Sequence, residues 1–72
     1  MTITSISAKE LAKLGVNLTI TAEAGFTSIS VKDIAKIMKS KNSHLTLHGS
    51  PYTSITLKDI ATILGNNLTL VL

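Results

Sequence analysis

F-T-S-I-S-V-K-D-I-A-K-I, residues 26–37, decides how the rest of this chain is read. Residues 3–14 read I-T-S-I-S-A-K-E-L-A-K-L and residues 52–63 read Y-T-S-I-T-L-K-D-I-A-T-I, so one twelve-residue phrase occurs three times. The copies begin 23 and 26 residues apart, a spacing typical of structural repeats that stack. Alignment puts Ile6, Ile29 and Ile55 in one column, Leu11, Ile34 and Ile60 in a second, and Leu14, Ile37 and Ile63 in a third. Ala12, Ala35 and Ala61 form a further column among them.

Each phrase reads as the start of a helix. Ser7, Ser30 and Thr56 stand where an N-cap hydroxyl belongs, three residues ahead of Glu10, Asp33 and Asp59. An acid there favours the positive end of the helix dipole. The isoleucine before each cap and the Leu or Ile four residues after it have the spacing of a hydrophobic staple.

A second match follows each phrase: N-L-T-I-T at 17–21, H-L-T-L-H at 44–48 and N-L-T-L-V at 67–71. Apolar residues alternate with threonine at period two, which predicts strands with Leu18, Ile20, Leu45, Leu47, Leu68 and Leu70 turned inward. Helix followed by strand, three times over, implies parallel strands joined by helical crossovers. The expectation is a single α/β domain over residues 1–72, with internal repeats at 3–25, 26–51 and 52–72, the last lacking its closing turn. Three short helices would stack on one side and a short parallel sheet on the other, as a helix–strand solenoid. This arrangement resembles the α/β solenoids of leucine-rich-repeat proteins. The resemblance is one of architecture and brings no functional residues with it.

Composition narrows the function classes. The chain of 72 residues has no cysteine, so neither disulfides nor thiolate-bound metal can support so small a core. Aromatic residues make up only 3% of a chain that is 44% hydrophobic, so the core must be aliphatic. No apolar run reaches the roughly 18 residues that a membrane span needs, and the first ten residues do not read as a signal peptide. The expected setting is the cytoplasm. The net charge of +3 comes from seven lysines and no arginine. Arginine supplies the planar fork used to read bases and phosphates, so sequence-specific nucleic-acid binding is disfavoured.

Three surfaces could carry function. The outward sheet face would present Asn17, Thr19 and Thr21, then His44, Thr46 and His48, then Asn67 and Thr69, a polar grid suited to a protein partner. Threonine also favours exposed strand positions for propensity alone. His44 and His48 lie about two pleats apart, too far to chelate one ion together, and no metal or other cofactor is implied. Lys32, Lys36, Lys39 and Lys41 form a candidate basic patch, with the K-S-K-N stretch expected as a rim loop inserted into the middle repeat. The plainer reading is a solvated helix exterior, neutralised in part by Glu10–Lys13 and Asp33–Lys36 along each helix. Finally, Leu68, Leu70, Val71 and Leu72 would form an apolar strand at an open sheet edge, which recruits another strand.

Catalysis is the least favoured class, for the sequence shows no arginine, no His–carboxylate pairing and no phosphate-cradling glycine loop. Ser5, Ser28 and Ser54 recur in every copy, which marks a structural column rather than a nucleophile. The expectation is a small interaction or self-assembly module that forms homo-oligomers through its open ends and accepts a protein partner. The alternative is lysine-mediated binding of nucleic acid or another polyanion.

Overall fold

The computed structural model describes residues 4–72. In chain order it contains α1 (Ser5–Lys13), β1 (Leu18–Ile20), a 3-10 turn (Ala22–Ala24), α2 (Ser28–Lys41), β2 (Leu45–His48), α3 (Ser54–Leu64), a second 3-10 turn (Gly65–Asn67) and β3 (Leu68–Val71). The strands form one parallel sheet in the order β1-β2-β3. The helices form one layer, with α2 packed between α1 and α3. The shortest dimension, 18 Å, is that of one helix layer laid on one sheet.

The helices begin three residues earlier than the sequence suggests. Thr4, Thr27 and Thr53 are the N-caps, and each Oγ1 accepts a hydrogen bond from the backbone N–H of Ser7, Ser30 or Thr56. Each threonine hydroxyl also donates to the hydroxyl of the residue it caps, at 3.1–3.2 Å. Glu10, Asp33 and Asp59 therefore sit in the second turn, where the end of the dipole is weak, and no acid occupies a first turn of α1, α2 or α3. Phe26 and Tyr52 precede the caps by one residue and lie against the core, five residues before Val31 and Leu57, which is the true staple spacing. Ile3, which holds that place in the first copy, lies outside the described residues.

The K-S-K-N stretch is not a rim loop. It is wound into α2, which runs for 14 residues against 9 in α1 and 11 in α3. Gly15 and Asn42 both follow a helix end with positive φ, and they lie 27 residues apart although the helix starts are 23 apart. The four extra residues amount to about one turn. Met38 explains the extension, because the added turn buries it completely. Asn42 then closes the helix at φ 57°, donating to the Lys39 carbonyl while Ser43 N–H donates to that of Met38.

The core is shared and lies at the middle of the molecule. Val31, Ile34, Ala35 and Met38 of α2 and Leu45 and Leu47 of β2 are all fully buried, joined by Ala12, Ile20, Ile60 and Leu64. By contrast Leu11, Leu14 and Val16, at the α1 end, are exposed. This corrects the expectation of a leucine-rich-repeat-like solenoid built of repeats. Stacked coils would each contribute an equivalent core layer, whereas these helices differ in length and enclose one core around α2 and β2. The structure is a single three-stranded parallel sheet with three helices, and it does not curl into a repeat array.

Candidate functional site

The sheet face follows from strand alternation. Leu18, Ile20, Leu45, Leu47, Leu68 and Leu70 turn toward the helices, and Thr19, Thr46 and Thr69 lie in register across the three strands. Thr19 and Thr69 are exposed, and Thr46, flanked on both sides, is half-buried. His48 stands opposite Val71 in the ladder. Thr21 lies beyond β1, at the entry to the first 3-10 turn, and is also exposed.

Four of the polar residues on this side already have internal partners. Asn17 Oδ1 accepts from the backbone N–H of His44 at 2.7 Å, satisfying the donor at the mouth of the central strand. Asn67 Nδ2 donates to Asn42 Oδ1 at 3.1 Å and so ties the entry of β3 to the end of α2. His44 Nε2 lies 2.6 Å from Thr69 Oγ1, reaching across to the neighbouring strand. Thr19, Thr21, Thr46 and His48 make no side-chain hydrogen bond among the described residues. The asparagines organise the strand entries, and Thr19, Thr21, Thr46 and His48 are the groups left to meet a partner. Among the described residues no cluster of three or more His, Asp or Glu is placed to hold a metal ion.

The lysines divide differently. Lys32 Nζ pairs with Asp59 Oδ2 at 3.0 Å, and Lys9 Nζ with Asp33 Oδ2 at 3.5 Å. Asp33 and Asp59 thus pair across helices, Asp33 with Lys9 and not with Lys36 of its own helix, while Glu10 pairs with neither Lys13 nor any other lysine among the described residues. Lys32, Lys36, Asp59, Thr62 and Ile63 line an open groove of about 320 Å³ between α2 and α3. Helical spacing puts Lys32, Lys36 and Lys39 on one face of α2 and Lys41 half a turn away. The four lysines therefore do not converge on one point, and one is already neutralised by a carboxylate.

The apolar surface holds what the sequence reading missed. Ile6, Ile29 and Ile55 are 70%, 72% and 71% exposed, one on each of three adjacent helices. Assigning them as staple residues hid this stripe. The aromatic residue just before Thr27 and Thr53 was the available signal, since it marks the position preceding a cap. At the α1 end Leu11 is 36% and Leu14 77% exposed, although Ile34 and Ile60, which match Leu11, are buried. At the β3 end Val71 and Leu72 are exposed, while Leu68 and Leu70 are half-buried. Gly49 is buried there and its N–H donates to the Val71 carbonyl. A Cβ on Gly49 would stand 3.2 Å from a Leu57 methyl and 3.3 Å from a Leu72 methyl, so a side chain there requires these leucines to give way by a few tenths of an ångström.

Compared with protein-family models, with curated proteins and with solved structures, the chain finds no match in any of the three. Among the described residues no helix is long and apolar enough to cross a membrane.

Proposed function

We propose that this chain is a small self-association module that binds through the two edges of its sheet and the helix faces beside them, without catalysis. The observation that carries this reading is the sheet order. With β2 in the centre, β1 and β3 each pair on one side only among the described residues, and each open edge keeps unpaired backbone donors and acceptors. Exposed aliphatic residues accompany both edges, Leu14 and Val16 at one and Val71 and Leu72 at the other. Neither edge strand carries a lysine or a proline, the residues that commonly protect a strand from pairing. The threonine face is the surface this reading leaves for a protein partner of a different kind. A cytoplasmic setting is the default that goes with it.

Introducing edge protection tests the reading. Val71→Lys combined with Leu72→Lys should lower the average mass measured by light scattering at a given concentration. Association undiminished in that variant would count against the edges as the binding surface.

A further inference from the structure

We propose that copies of this chain join head to tail, the α3 face of one against the α1 face of the next, with Lys58 of the first pairing with Glu10 of the second. This rests on the self-association reading and gives it a geometry.

The molecule makes the required junction twice within itself. Lys9 on α1 reaches Asp33 on α2, and Lys32 on α2 reaches Asp59 on α3. Burial marks the accompanying apolar residues. Ala8 and Ala12 are buried on α1, which packs against α2, as are Val31 and Ala35 on α2, which packs against α3. The paired acids Asp33 and Asp59 are each followed by an isoleucine, Ile34 and Ile60, and both isoleucines are buried. Each junction thus sets a lysine with small or branched residues against an acid with isoleucine.

The two ends of the molecule are the separated halves of the same junction. On α3, Leu57, Lys58 and Ala61 stand where Val31, Lys32 and Ala35 stand on α2, and Ala61 is exposed whereas Ala12 and Ala35 are fully buried. On α1, Glu10 and Leu11 stand where Asp33 and Ile34 stand on α2, and both are exposed. Neither Lys58 nor Glu10 forms an ion pair among the described residues. The complement of each end is the other end of this same chain, which points to a second copy as the occupant. Because sheet order follows helix order, docking α1 beside α3 also brings β1 of the incoming copy beside β3. The contact is heterologous, so it generates open chains or rings rather than a closed two-fold dimer.

Charge reversal separates this geometry from association by any other surface. Lys58→Glu and Glu10→Lys should each associate on the order of tenfold more weakly than the unaltered chain, because attraction of an exposed pair is replaced by repulsion. An equimolar mixture of the two should recover association, since Glu at position 58 then meets Lys at position 10 and Lys58 meets Glu10. Both sites are exposed, so the far-UV circular dichroism of each variant should match that of the unaltered chain. Lys58→Arg should associate normally, and added salt should weaken the unaltered chain's association. Variants that associate as strongly as the unaltered chain, or a mixture as weak as its components, would overturn the head-to-tail geometry and leave self-association standing. A chain that stays monomeric without any substitution would overturn both.

Discussion

Lys32 Nζ stands 3.0 Å from Asp59 Oδ2, joining α2 to α3 across the outer surface of the helix layer. Both side chains are partly solvated, so the attraction is screened, and an exposed pair of this kind contributes about 0.2–1 kcal/mol. A double-mutant cycle with Lys32→Met and Asp59→Asn should return a coupling in that range by urea denaturation and lose most of it in 1 M salt. A coupling indistinguishable from zero at low salt would mean that the pair orients the helices without holding them.

The cap register gives a second prediction. Thr27 Oγ1 accepts the Ser30 N–H, so Thr27→Ala should cost about 1 kcal/mol of stability, with Thr4→Ala and Thr53→Ala behaving alike. Ser30→Ala removes only a side-chain hydroxyl that receives the threonine proton, and its cost should be the smaller. Urea melts of the two single variants settle the order, and the reverse order would place the cap at Ser30.

Tyr52 provides a pH test. Its hydroxyl donates to the Phe26 carbonyl at 3.0 Å, and burial raises its ionisation above the ordinary phenol value of about 10. The unfolded chain therefore gives up this proton first as pH rises. Tyr52 contributes its full stability below pH 10 and loses it as the pH climbs through the higher folded-state value. Thermal melts from pH 8 to 11 should show a decline for the unaltered chain that is shallower in Tyr52→Phe. Near pH 7 the same variant should be less stable by about 1 kcal/mol through loss of the hydrogen bond. Parallel pH profiles would show that the phenol is not what titrates.

Ser43 is buried, and its Oγ has no hydrogen-bond partner among the described residues. Its backbone N–H closes α2 on the Met38 carbonyl, and alanine would keep that bond. Ser43→Ala should consequently be neutral or stabilising by up to about 1 kcal/mol, because it removes an unsatisfied group from the interior. A clear loss of stability on chemical denaturation would mean that the hydroxyl has a partner.

Particular residues show what the sequence made legible. The alternation of Leu45, Thr46 and Leu47 placed the strand and its faces correctly, because period two can be satisfied only by an extended chain with one side buried. The column of Leu11, Ile34 and Ile60 marked an inward helix face, although Leu11 itself remains exposed for want of a neighbour. Thr27 and Ser30 are both good capping residues, and the acid three residues after Ser30 points to the serine, whereas the helix caps on the threonine that follows Phe26. The polarity of the K-S-K-N stretch suggests a loop, whereas burial of one preceding residue, Met38, accompanies continuation of the helix to Lys41. The solenoid expectation failed on a property that no local pattern encodes. Whether copies of a phrase build equal layers or one common core depends on how the elements share burial, and here α2 and β2 take most of it. On the candidate sites, the threonine ladder could be read from spacing alone. The cross-helix pairing of Lys32 with Asp59 could not, because it depends on how neighbouring helices align.

Sedimentation equilibrium of the unaltered chain, from micromolar to millimolar concentration at low salt, tests the central claim most directly. The account predicts a weight-average mass that climbs with concentration from 7.6 kDa through successive multiples without levelling at the dimer, as open heterologous contacts require. A mass that stays at 7.6 kDa throughout would contradict it.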